Sequence, residues 1–217
     1  MQTVLQSLQA TFTEQDAATR NQAEQELEKL SQEKDSYLYT LLQIVTTQTP
    51  EITQQIRHAA ATNLRKFARK LSDSNQLEGQ TREFFAKSIF NALVQPGLEG
   101  PVRATLGYAL VPIVSLDAGD PMGSTVASLM PDIVSGMGGE PYSIIGCCKM
   151  IKAVFSGFSE NSMTWTIFKQ LLDPMVNSGL STNNTLKTSI SEGKTNEVNL
   201  CLEVLYELCA AFTSILE

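Results

Sequence analysis

The stretch IRHAAATNLRKFARK, residues 56–70, decides the fold. Ile56, Ala60, Leu64 and Phe67, continued by Leu71, fall at intervals of three and four, which places them along one face of a helix. Within that face runs the spacing Arg57-x-x-Ala60-x-x-x-Leu64. It occurs 37 residues earlier at Arg20, Ala23 and Leu27, and again at Arg103, Leu106 and Leu110, with leucine in the alanine position. A recurrence of this period is the mark of stacked repeat units.

Outward from this helix the same template predicts four more. Val102, Leu106, Ala109 and Ile113 form one stripe, and Ile144, Cys148, Ile151, Phe155 and Phe158 another. Val198, Leu202, Leu205, Cys209, Phe212 and Leu216 form the last, while the Arg20 helix is the first of the series. Each is preceded by a second periodic segment: Val4, Leu8 and Phe12; Leu38, Leu41 and Val45; Phe85, Ile89 and Leu93; Val126, Met130, Ile133 and Met137; Met163, Ile167, Leu171 and Met175. The reading is therefore all-α: ten helices in five antiparallel pairs, a right-handed α-solenoid of HEAT type forming a single array over residues 1–217.

Prolines punctuate the array. Pro50, Pro101 and Pro141 stand just ahead of second-helix stripes, where a missing N–H costs nothing. Pro112, Pro131 and Pro174 interrupt stripes and predict bends or shortened helices. Equivalent second-helix positions are 37, 46, 42 and 54 residues apart, and the last interval calls for an insertion. Residues 178–197, SGLSTNNTLKTSISEGKTNE, are rich in Ser, Thr, Asn and Gly and read as a polar surface loop.

Composition narrows the function classes. With 42% hydrophobic and 18% charged residues the chain should fold. A net charge of −7 repels phosphate backbones, so nucleic acid is not an expected partner and basic surfaces are. No run reads as approaching the roughly 20 apolar residues that span a bilayer, so membrane insertion is not expected, and MQTVLQSLQA lacks a secretory signal's basic flank. Cys147, Cys148, Cys201 and Cys209 fall in apolar periodic segments and read as small core residues, without metal-ligand spacing. His58, the sole histidine, has no inferable Ser/His/Asp arrangement, and no GxxxxGK[ST] motif occurs. The glycines of SGMGGEP at 136, 138 and 139 read as a helix end and turn. Neither an enzyme nor a cofactor is expected.

Stacked pairs present a long wall with few enclosed pockets, a geometry suited to protein recognition. At this point two segments resemble the N-terminal region of the importin-β (karyopherin-β) family of nuclear transport receptors. AEQELEKL at 23–30 is similar to the first-repeat segment, and IRHAAATNLRKFARK to the second-repeat signature. The family usually reads Leu-Lys-Asn there, whereas Asn63 here precedes Leu64, with Arg65 and Lys66 following. The closest likeness covers residues 1–71, with compatible helix pairs at 76–217.

The resemblance implies binding of the small GTPase Ran in its GTP form, uptake or release of a cargo protein or adaptor, and residence in cytoplasm, nucleus and nuclear pore. It also implies contact with Phe-Gly nucleoporins in grooves between outer helices. Family receptors are several times longer, which implies a fragment or an unusually short relative. A HEAT scaffold of another complex, of the phosphatase-regulatory or vesicle-coat kind, is the alternative. Asn63, Arg65, Lys66, Arg69 and Lys70 are the candidate partner-binding residues: they hold the densest basic cluster in the chain and lie in or beside the family-like signature. The same cluster also reads as a solvated cap at a helix C-terminus. Arg20, Arg57 and Arg103 read as structural, since Asp16 and Glu99 precede two of them by four residues, at ion-pair spacing. Phe84, Phe85, Phe155, Phe158 and Phe168 read as core.

Overall fold

A computed structural model of the chain describes residues 1–13, 16–74, 76–77, 79–117, 124–157 and 162–216. Among them are ten α-helices: α1 (Gln2–Thr13), α2 (Ala17–Leu30), α3 (Lys34–Thr46), α4 (Gln54–Asp73), α5 (Gly79–Leu93), α6 (Gly100–Val114), α7 (Ser124–Met137), α8 (Pro141–Gly157), α9 (Ser162–Ser191) and α10 (Thr195–Leu216). Local chemistry sets several starts. The Asp16 carboxylate accepts from the Thr19 N–H at 2.9 Å and the Thr53 hydroxyl from the Ile56 N–H at 3.4 Å, each capping an orphan donor. Pro101 and Pro141 sit in the first turns of α6 and α8, as read from sequence.

Each odd-numbered helix packs against the even-numbered helix that follows it. The pairs then stack in chain order: α4, α6, α8 and α10 pack intimately in one layer, while α3, α5, α7 and α9 touch more sparsely in the other. This arrangement is compatible with an α-solenoid. One continuous apolar core runs through it, from Leu8 and Leu38 through Leu64, Phe85, Leu106 and Ile133 to Ile151, Leu171 and Leu208. Phe67 stitches the first pairs together, meeting Tyr37 edge-on with ring centroids 5.1 Å apart and Phe85 at 6.0 Å.

Several expectations change. The polar loop read at 178–197 is mostly helix: α9 continues to Ser191, and residues 192–194 make the turn, with Gly193 at φ +71° and the Lys194 N–H donating to the Ser189 carbonyl at 2.9 Å. Along this polar helix hydroxyls are satisfied by the carbonyl four residues back, Thr185 by Ser181 and Thr188 by Asn184, both at 3.2 Å. Ser178, Thr182 and Ser189 are buried, so the segment packs through small polar side chains instead of leaving the surface. Pro112, Pro131 and Pro174 all lie inside continuous helices, so none of them cuts its helix short.

The stripe on α10 is also different. Cys201, Val204, Leu208 and Ala211 face the core, whereas Leu202 is 51% exposed and Cys209 lies on the surface. α10 is apolar on more than one side, and within Thr195–Ile215 an 18-residue stretch reaches a mean hydropathy of 1.5. By length and composition it could cross a membrane, which the sequence reading had not anticipated. Phe84 is half exposed, not core. Phe158, and the side chains of Phe12, Met163, Trp165 and Leu216, lie outside the described residues.

Cys147, Cys148 and Cys201 are buried as expected. Burial pushes the Cys147 thiol up to about 12, and raises Cys148 and Cys201 as well. With Ellman's reagent at pH 8 the native chain is therefore expected to release one equivalent quickly, from Cys209, and the remaining three only in denaturant. Rapid release of more than one would contradict the burial of these thiols on α8 and α10.

Candidate protein-binding surface

α4 carries the surface because its two sides differ so sharply. Ile56, Ala60, Leu64, Phe67 and Leu71 are buried beneath it, while Arg65, Lys66, Arg69 and Lys70 stand exposed on top. With Arg57, the helix holds five basic side chains against one acidic, Asp73, in a chain whose net charge is −7. The electropositive region is therefore local and set against an acidic background.

The five sequence-selected residues divide by the register of the helix. Asn63, Lys66 and Lys70 line a groove of about 490 Å³ between α4 and α2. It exists because α2 packs chiefly on α1 and stands away from α4. Glu24 and Glu28 form the opposite wall, and Lys70 crosses to pair with Glu28. Tyr37 and Phe67 lie at the bottom of the groove; burial, and then the Glu28 carboxylate, push the Tyr37 phenol up to about 12. Asn63 donates one amide hydrogen to the Ala59 carbonyl at 3.1 Å, which holds the side chain in place and leaves its oxygen and second N–H for a partner.

Arg65 turns the other way. Its guanidinium lies 5.2 Å from the centroid of the Tyr108 ring on α6, a cation–π contact that holds a long side chain in a defined place. Arg69 pairs with Asp73 at 3.8 Å, both largely exposed, an interaction that leaves its charge available. His58, one turn before Thr62, sits 3.3 Å from the Thr105 hydroxyl of α6. Only Lys70 lies in the last turn of α4. The macrodipole fades within a turn, so helix capping does not account for Arg65 or Lys66.

Two of the repeated arginines, Arg57 and Arg103, are structural, but not in the way their spacing implied. Arg57 pairs with Glu99 of the next helix pair and donates back to the Ile52 carbonyl at 3.1 Å. Glu99 is thus engaged across pairs, not with Arg103 four residues on. Arg103 is buried and donates to the carbonyls of Leu93, Gln95 and Tyr142. Arg20 is exposed, and Asp16 is engaged as the α2 cap. Sequence reasoning passed over Tyr108, Glu24 and Glu28; Tyr108 stands just off the α6 stripe, the one signal that marked it.

On the opposite layer a groove of about 480 Å³ opens between α3 and α5, with exposed Tyr39 and Phe84 at its rim and Leu42 within. Among the described residues no three His, Cys, Asp or Glu side chains converge as metal ligands. No family model, curated protein or solved structure matches this chain.

Proposed function

We propose that this chain is the N-terminal part of an importin-β-type nuclear transport receptor, built as a right-handed HEAT-type solenoid, whose even-numbered helix layer binds Ran in its GTP form. The observation that supports this best is the concentration of exposed cations on α4 in an otherwise acidic chain, on the segment that resembles the family's second-repeat signature. Asn63, Arg65, Lys66, Arg69 and Lys70 then meet an acidic region of the GTPase. The chain works in the cytoplasm, the nucleus and the nuclear pore, and contributes to carrying a cargo protein or adaptor. Phe-Gly nucleoporins dock on the α3–α5 groove, whose aromatic rim and apolar floor suit a phenylalanine side chain.

Coupling follows from the stack. Each pair packs on its chain neighbours, so a partner gripping α2 and α4 shifts successive interfaces slightly, and the shift reaches the far end only through differential binding to two curvatures. Lys70–Glu28 is the contact that a partner entering the α2–α4 groove must open.

Size-exclusion binding with Ran locked in GTP or GDP form tests the proposal. Only the GTP form should co-elute, and the double charge reversal Arg65→Glu with Lys66→Glu should weaken it by at least about tenfold, since reversed charges at a rim both slow encounter and repel. Both side chains are exposed, so the variant's unfolding midpoint should match the parent's. Equal binding of both nucleotide forms, or an unaffected double variant, would sink the reading and favour a scaffold of another complex.

A further inference from the structure

The even-numbered layer holds a second basic feature two helices beyond α4. Lys149 and Lys152 of α8 both reach toward Glu207 of α10, a carboxylate only 6% exposed. Their roles are unequal. Lys149 is itself mostly buried and forms a direct ion pair with Glu207 Oε1, whereas Lys152 is 34% exposed and lies 4.0 Å from Oε2, which accepts no hydrogen bond. Lys149 therefore carries the structural task of neutralising a buried charge, and Lys152 keeps most of its donor capacity free.

Beside these lysines is a small cleft of about 70 Å³ between α6 and α8, lined by Ala104, Gly107, Tyr108, Lys152 and Ser156 among others. Gly107 keeps it open: a Cβ there would lie 3.3 Å from the Cβ of Lys149 and press its stem outward. Tyr108 forms one lip and also carries Arg65 of α4 on its ring, so the cleft is continuous with the α4 surface.

We infer that this cleft receives a single acidic side chain of the protein that docks on α4, its carboxylate paired with Lys152 and shielded by Tyr108. This rests on the proposed partner-binding role of that layer. The size admits a carboxylate head and excludes a nucleotide base. A carboxylate is favoured over a phosphate because Glu207 stands behind the lysines: one more single charge is balanced by Lys152, whereas a dianion would face an already half-neutralised site.

The test uses a fluorescein-labelled peptide of alternating Glu and Gly and, separately, GTP-loaded Ran, against the full chain. Anisotropy with the peptide should show Lys152→Gln weakening binding by about fivefold, the scale of one partly desolvated charge contact, with Lys152→Arg close to the parent and Lys187→Gln, at an exposed position of α9, unchanged. Circular dichroism should show all three variants folded, because Lys149 still holds Glu207. Absence of peptide binding by the parent chain, or equal losses in Lys152→Gln and Lys187→Gln, would overturn the cleft. If the peptide series behaves as expected while Ran fails to bind, the cleft stands and the GTPase assignment falls.

Discussion

Arg103→Ala is expected to lower the unfolding free energy by about 3–5 kcal/mol, the range seen when a large buried side chain and its hydrogen bonds are removed together. Arg103 is 1% exposed, and its direct partners among the described residues are carbonyls. Its guanidinium instead donates to the Leu93 and Gln95 carbonyls where α5 ends, and at 3.3 Å to the Tyr142 carbonyl where α8 begins, with the Tyr142 ring centroid 5.5 Å away. The first two acceptors are carbonyls at a helix C-terminus, where the macrodipole welcomes a cation. Burial lowers the pKa of Arg103, while Glu203, Tyr142 and Glu207 oppose that shift through space.

Arg103→Lys is expected to recover only part of the loss, because an ammonium is a point charge that cannot fork to acceptors on two sides. Arg57→Ala should cost less than Arg103→Ala, since Arg57 is not fully buried and water can replace it at Glu99. Urea unfolding followed by circular dichroism checks the series, and the midpoint is the safer quantity because a stack need not unfold in two states. A loss below about 1 kcal/mol for Arg103→Ala would mean that water reaches these carbonyls and that the arginine is not the clip between pairs.

The second large effect is expected at Gly146. A Cβ there would lie 2.7 Å from the Leu93 oxygen and 2.9 Å from its carbonyl carbon, and the obstruction is backbone, which cannot rotate aside. In an open helix, Gly→Ala gains up to about 1 kcal/mol from backbone entropy. Here overpacking outweighs it, and Gly146→Ala should destabilise by about 1–3 kcal/mol.

Gly179→Ala supplies the contrast within the same fold. Its Cβ would find nothing nearer than Leu208 Cδ1 at 3.9 Å, so this variant should be neutral or slightly stabilising. Gly146 and Arg103 also converge on the same Leu93 carbonyl, so their losses should not add: the double variant is expected to fall short of the sum. Additive losses, or a stabilised Gly146→Ala, would show that α5 and α8 do not approach as closely as described.

The candidate surface was legible only in part. Arg65, Lys66, Arg69 and Lys70 stand out as a charge cluster without any structure, because solvated basic residues need only avoid the apolar stripe beneath them. Which way each one faces was not legible. Whether Lys70 meets Glu28 and Arg65 meets Tyr108 depends on α2 leaning on α1 and on α6 lying against α4, and neither neighbour is within reach of a local pattern. Lys152 was invisible for the same reason, since its interest comes from Glu207, 55 positions away.

Helix existence and pairing were written locally, because a stripe at intervals of three and four says which side of a helix must be covered wherever one apolar side is distinct. That is why α4 and α6 bury the residues their periodicity selects, and α8 buries Ile144, Cys148, Ile151 and Phe155 of its stripe. The rule failed where local information is ambiguous. α10 offers two apolar sides, and only the fit of Cys201, Val204, Leu208 and Ala211 against α8 and α9 chose between them. The second half of α9 offers almost no apolar side, so no stripe marked it as a helix, although Ser178 and Ser189 are buried and its hydroxyls bond back to helix carbonyls. The repeated Arg-x-x-Ala-x-x-x-Leu spacing thus specified the array, while tertiary packing assigned each copy of its arginine: Arg20 to solvent, Arg57 to a neighbouring carboxylate, and Arg103 to buried carbonyls. The difference is physical. Periodicity is a property of one helix, whereas the partner of a charge belongs to whichever helix lies beside it.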